Sequence, residues 1–261
     1  MKLTKPTSGQ MYFEGRNVAP FKGKELRDQR KRVQIIFQDP YASLNPRMRI
    51  GKAVSQPLEI HKLASGFEKK ERTLEALTEV GLTPSERFFD LYPHQLSGGQ
   101  RQRVAIARAI ITRPTFVVAD EPVSMIDVSI RTTIIDLMLG LKTKLGITYL
   151  FITHDLAVAK YISDRIAIMY LGKIVELCSK KELFLNPLHP YTKALLSAIP
   201  VPTPGISRKS IKLAGEVPSA VHLPSGCRFN PRCKYATEQC RMEEPVLVDI
   251  EGHLVACYNA V

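Results

Sequence analysis

The chain has 261 residues, 44% of them hydrophobic, which is enough for one large α/β core and a small appendage. Its net charge of +12 points to an anionic neighbour, whether nucleotide, nucleic acid or a membrane face, and charge alone does not choose among them. No run of about 18 apolar residues occurs, and the opening residues have no apolar core region. No membrane span and no signal peptide are expected, and the location expected is cytoplasmic.

In chain order, Pro6-Thr7-Ser8-Gly9 reads as a turn and residues 10–14 as a short strand. Residues 16–32 read as a basic loop region. Residues 33–37 form a buried strand ended by Gln38-Asp39-Pro40. A helical region follows over about 52–90, broken near Ser65-Gly66 and Thr83-Pro84. Ser97-Gly98-Gly99-Gln100 then opens a helix in which Val104, Ile106, Ala107, Ile110 and Ile111 recur at helical spacing, with Arg101, Arg103 and Arg108 off that stripe. Residues 115–120 are an apolar strand finishing in Asp120 and Glu121. A helix over 129–145 leads to a strand over 147–152, which runs into Thr153-His154-Asp155. Residues 165–170 and 173–177 read as two more strands. The alternation predicts a mainly parallel sheet covered on both faces. After Asn186 the chain turns proline-rich, with one short helix near 191–198, and a boundary is expected near residue 200. The expected domains are 1–200, with a helical subdomain at about 52–112, and 201–261.

Four polar groups fall where a parallel sheet presents a ligand, at or beyond the carboxyl ends of strands: Gln38, Asp120, Glu121 and His154. Asp120 is placed to hold Mg²⁺ directly or through water, and Glu121 to polarise an attacking water. His154 suits a contact with a terminal phosphate, and Gln38 can sense metal and water together. Ser97, Gly98, Gly99 and Gln100 supply a hydroxyl, two positions where backbone can come close, and a helix N-terminus whose free N–H groups grip phosphate. Each has a plainer reading, as a helix cap or a solvated side chain. Their order along the chain favours the site.

These motifs resemble the nucleotide-binding subunit of an ABC transporter. LSGGQ (96–100) matches the family signature, VVADEP (117–122) the Walker B segment, SMID (124–127) the D-loop, ITHD (152–155) the switch histidine and FQDP (37–40) the Q-loop. FQDPYASLNPRMRIG (37–51), YPHQLSGGQRQR (92–103) and NPLHPYTKALLSAIP (186–200) resemble the peptide-importer branch, and branches carrying nickel or other small solutes share these features. The D-loop has Met125-Ile126 where the family commonly has Ala-Leu; both are apolar, and Asp127 keeps its place. The resemblance implies an ATPase using ATP and Mg²⁺, acting head to tail in a dimer. Asp120, Glu121, Gln38 and His154 serve their own subunit's phosphate loop, and Ser97–Gln100 the partner's ATP. It also implies a second ABC ATPase subunit in a heterodimer, two membrane permease subunits and an extracytoplasmic solute-binding protein. The expected place is the cytoplasmic face of the inner membrane.

A phosphate loop needs G-x-x-x-x-G-K-S/T. The Gly-Lys pairs at Gly23, Gly51 and Gly172 are followed by Glu25, Ala53 and Ile174, and none has the required spacing. In the family that loop comes just before the segment matching KPTSGQMYFEG (5–15), so the sequence is expected to begin downstream of it. This chain alone is expected neither to bind ATP tightly nor to hydrolyse it. Two other readings stay open: a non-catalytic or relic subunit donating only its signature motif, and a nucleic-acid-associated ATPase. Against the latter, there is no basic stripe interleaved with aromatics, and no nucleic-acid partner is expected.

Cys227, Cys233, Cys240 and Cys257 cluster late in the chain, and Cys178 stands apart on an expected strand. In a cytoplasmic protein such a cluster reads as a metal or cluster site rather than disulfides, without the C-x-x-C pairs usual for zinc. The family resemblance implies a 4Fe-4S cluster, with zinc or unligated thiols as the alternatives. His222 and His253 are spare candidate ligands read as surface histidines.

Overall fold

The computed structural model describes residues 2–199 and 211–260. They divide into two compact units, Met1–His154 and Asp155–Val261. The domain boundary expected near residue 200 lies outside the described residues.

The first unit opens with β1 (Tyr12–Phe13) and β2 (Arg16–Asn17), an antiparallel pair of two-residue strands. Residues 16–32 are not the loop region expected, because α1 (Gly23–Arg32) occupies their second half. This helix buries none of its residues, so it carries no apolar stripe for a sequence to reveal. Glu25 in its first turn and Arg30, Lys31 and Arg32 in its last favour it through the helix dipole. β3 (Val33–Ile36) follows, then α2 (Pro40–Ser43), α3 (Ile50–Ile60), α4 (Gly66–Glu79) and α5 (Ser85–Phe89). α6 (Gly98–Ile110) leads to β4 (Phe116–Asp120), α7 (Val128–Leu145) and β5 (Thr148–Ile152). α7 ends at Gly146, whose φ of +65° lets its N–H reach Lys142 O.

The three strands β3, β4 and β5 lie side by side in parallel, with Val33 opposite Phe116 and Asp120 opposite Ile152. Packed beside them, α6 buries Val104, Ile106 and Ile110 together with Ile50, Val54 and Leu58 of α3. The hydrophobic effect of burying such side chains is about 1.5–3 kcal/mol each. β5 pairs on one side only among the described residues, and Leu150 and Ile152 on it are 50% and 44% exposed.

The second unit contains α8 (Leu156–Ile162), β6 (Arg165–Tyr170), β7 (Lys173–Ser179), α9 (Lys180–Leu185) and α10 (Pro190–Ser197). It continues with α11 (Glu238–Met242), β8 (Val248–Ile250) and β9 (His253–Val255). The mainly parallel sheet expected for the chain is therefore confined to β3, β4 and β5. β6, β7, β9 and β8 form an antiparallel sheet in that order. The reason is visible in β6, where exposed and buried residues alternate strictly, as on a sheet with one wet face.

The core of this unit gathers Ile166, Ile168, Tyr170, Val175, Cys178 and Leu183 around Phe229. The Phe229 ring meets Tyr170 edge-on at 5.2 Å and lies 5.4 Å from Tyr191 and 5.7 Å from His189. His253 is buried, contrary to the surface position expected. Its Nε2 lies 2.6 Å from Oε1 of the wholly buried Glu176, and the same carboxylate accepts from Leu188 N at 2.8 Å and His189 N at 3.1 Å. A buried charge needs such partners. The three contacts tie β7, β9 and the start of α10 into one latch.

Candidate functional site

The parallel register of β3, β4 and β5 brings the ends of three strands to one place. Gln38 follows β3, Asp120 ends β4, Glu121 is next, and His154 stands two residues after β5. Gln38 Nε2 donates to Glu121 Oε2 at 3.1 Å, and His154 Nδ1 lies 3.2 Å from the same oxygen. Both groups meet one oxygen of Glu121, leaving the other free to accept from a water. His154 is 74% exposed and Glu121 24%, so the carboxylate is sheltered and the imidazole is open to a ligand.

Glu121 has φ of +43°, which costs a residue with a Cβ about 1–2 kcal/mol. Its N–H donates to Ile152 O, and its carbonyl accepts from both Ser124 N and Ser124 Oγ. These bonds hold the strained residue where its side chain meets Gln38 and His154. Asp120 is half-buried at the strand end, and its carboxylate accepts no hydrogen bond from the described residues. That leaves it free for a hard cation such as Mg²⁺.

Ser97 caps α6 in a capping box: Ser97 Oγ accepts from Gln100 N at 3.3 Å, and Gln100 Oε1 from Ser97 N at 2.9 Å. The two glycines behind it differ. A Cβ at Gly99 would come 3.1 Å from Ile130 Cγ2 of α7, so Gly99 sets helix packing, whereas a Cβ at Gly98 would meet nothing within 4 Å. Gly98 thus keeps the helix start open rather than packed. Asp127 is exposed at the N-terminus of α7. Among the described residues, no hydrogen bond joins Ser97–Gln100 or Asp127 to the Gln38–Glu121–His154 group.

Sequence reasoning missed the residues that brace these loops. Arg101 stacks over Tyr41 with its guanidinium carbon 3.7 Å from the ring centroid, and it donates to Tyr41 Oη at 2.5 Å and Pro93 O at 3.0 Å. Arg108 donates to Ser43 O at 2.6 Å and Arg103 to Val80 O at 2.5 Å. The arginines off the apolar stripe therefore fasten α6 to the segment after Gln38 and to the helices beside it. Arg131 does the same for the D-loop, donating to Ile126 O and Ser124 O.

Comparison with known proteins identifies the family. The family model for ABC transporters matches residues 1–124, and that for the oligopeptide/dipeptide transporter C-terminal region matches residues 175–240. The dipeptide transport ATP-binding protein DppF of Haemophilus influenzae is 47% identical over 98% of this chain and 78% of its own length. Its namesake in Escherichia coli is 45% identical over 97% of this chain and 75% of its own. This chain is an ABC transporter ATP-binding protein of the dipeptide/peptide family. Among solved structures, the dimeric post-hydrolysis state of the ATP-binding cassette MJ0796 bound to ADP and Pi superposes with a TM-score of 0.60. It shares 33% identity, covering 68% of this chain and 76% of that one. The ABC ATPase fold implies ATP and Mg²⁺ as ligands, and such subunits lie peripheral to the membrane. No helix among the described residues is long and apolar enough to cross one.

The second unit of this ABC protein holds the cysteines. Cys227, Cys233, Cys240 and Cys257 line a single small cavity of about 10 Å³. Burial raises the thiol pKa of Cys227, Cys233 and Cys257, while the N–H groups of Phe229, Tyr235 and Asn259 pull the other way. Thr237 Oγ1 lies 3.2 Å from Cys240 Sγ, so each of the four sulfurs has one hydrogen-bonding neighbour. Gly226 makes this possible: with φ of +64°, a Cβ there would fall 2.5 Å from Cys240 O, the oxygen that accepts from Cys227 N. Among the described residues, no three of these sulfurs all lie within 4.8 Å of one another. Tetrahedral zinc with Zn–S near 2.3 Å would draw four sulfurs to about 3.8 Å. The donor set is all sulfur, the ligand type that iron–sulfur clusters take.

Proposed function

We propose that this chain is the ATP-binding subunit of an importer of peptides or similarly sized solutes, coupling ATP hydrolysis to uptake. The observation that carries the proposal is the convergence of Gln38 and His154 on one oxygen of Glu121 beside the free carboxylate of Asp120. In this reading Asp120 holds Mg²⁺, Glu121 polarises the attacking water, and Gln38 and His154 orient Glu121 and report the terminal phosphate. Ser97, Gly98, Gly99 and Gln100 grip the ATP of a second ABC ATPase subunit in a heterodimer, with Asp127 at the shared interface. Two membrane permease subunits and an extracytoplasmic solute-binding protein complete the assembly at the cytoplasmic face of the inner membrane.

A second reading rests on the sequence itself. No G-x-x-x-x-G-K-S/T occurs in these 261 residues, so the chain by itself lacks the N–H cradle and lysine that phosphoryl transfer requires. In this reading it serves as a signature donor to a partner whose phosphate loop is intact. Uptake of labelled peptide into proteoliposomes, with permease subunits, partner ATPase and solute-binding protein present, tests the importer role. ATP-dependent uptake that requires this chain is expected; uptake indifferent to its presence would overturn the proposal.

Cys227, Cys233, Cys240 and Cys257 would hold a 4Fe-4S cluster. Such a group supplies one-electron redox chemistry and staples a loop-rich segment. Protein purified without oxygen is expected to carry about four iron atoms and four acid-labile sulfides per chain, falling to background in Cys240→Ser. Stoichiometric zinc without sulfide would refute the assignment.

A further inference from the structure

Beside the cysteine cavity lies a second one of about 70 Å³, lined by four cations and no carboxylate: Lys193, Lys212, Arg232 and Lys234. None of the four forms an ion pair among the described residues. Arg232 is half-buried and fixed, its Nε donating to Ala214 O at 3.3 Å, which leaves the terminal amino groups of its fork unspent. Lys234 holds its ammonium 4.8 Å from the centroid of the exposed Tyr235 ring. Phe229 forms part of the wall of both cavities.

Four like charges around one concavity with no carboxylate among them give it a positive potential that a bound anion would lower. A guanidinium fork and several ammonium groups match the oxygens of a phosphate group. The volume accommodates one: a single water needs about 10–15 Å³ on the same measure. We propose that this pocket binds a phosphate-bearing anion, at a site separate from the Gln38–Glu121–His154 centre.

The phosphate has two sources, a soluble polyphosphate or the headgroup of an anionic lipid. Calorimetric titration of the full chain with pyrophosphate reads the first, and co-sedimentation with phosphatidylglycerol vesicles reads the second. The expected result is binding of one of these that weakens with added salt and falls at least tenfold in Lys193→Gln/Lys212→Gln. Lys193→Arg/Lys212→Arg, which keeps the charge, is expected to retain it. Both substituted positions are exposed, and the urea midpoint of each variant confirms that the fold is kept. Binding of neither probe, or equal binding by the glutamine variant, would overturn the proposal. Pyrophosphate binding without vesicle binding assigns the soluble source, and the reverse assigns the lipid.

Discussion

Purified alone, the chain is expected to turn over no ATP; mixed with a partner ATPase whose phosphate loop is intact, it is expected to raise turnover, and Ser97→Arg to abolish that gain. Ser97 starts α6, where unsatisfied N–H groups and roughly half a positive charge face outward. Its hydroxyl already closes a capping box, so the helix start is fixed before any phosphate arrives. Pre-set donors aimed at developing charge are worth about 10²–10³ in rate. Arg at this position fills the space that Gly98 leaves open, and partner turnover is expected to fall at least 10²-fold. Ser97→Ala separates the two roles, because loss of a cap costs about 1 kcal/mol of stability and leaves the space unfilled. Steady-state phosphate release from the chain, the partner and the mixture measures all three. Turnover by the chain alone that Glu121→Gln removes would show that it holds a working phosphate site of its own. Partner turnover unmoved by Ser97→Arg would remove the signature-donor role.

The site was legible because its residues are written next to strands. Gln38, Asp120, Glu121 and His154 each follow an apolar run, and parallel pairing alone makes three such runs end together. The interactions that orient them were not legible. Tyr41 and Arg101 are 60 residues apart, and Arg101 read in sequence is simply a polar position on a helix. His253 looked like a surface residue because its partner Glu176 lies 77 residues upstream, on a strand it meets only after folding. α1 is illegible for the opposite reason: it has no buried face, so hydrophobic periodicity gives no signal there. The antiparallel second sheet is not legible either, since β6 is apolar at every position after Arg165 and its period-two alternation exists only in burial.

The Glu176 latch makes a second large effect testable through acid. His189 is buried beside it as the first residue before α10, with its Nδ1 accepting from Tyr191 N at 3.0 Å and its ring against Phe229. That acceptor role requires a neutral ring. Burial is the main cause that brings the imidazole pKa down to about 4, with Lys193 adding to the shift and Glu176 opposing it. The ordinary value is about 6.5, so the unfolded chain takes up this proton first. Stability from the neutral ring is therefore complete above pH 6.5 and is lost as pH falls toward 4. A shift of this size corresponds to about 3 kcal/mol. Urea unfolding of the cluster-free protein, followed by circular dichroism at pH 7.5 and pH 4.5, reads the loss. Carboxylates titrate in the same window, so the comparison that isolates His189 is with His189→Gln. This variant is expected to be less stable at neutral pH, because the cap and the ring contacts are gone. Its stability is expected to fall less between the two pH values, since it has no imidazole to protonate. Parallel pH dependence in the two proteins would mean that the ring is already charged in the fold, and that Tyr191 N finds its acceptor elsewhere.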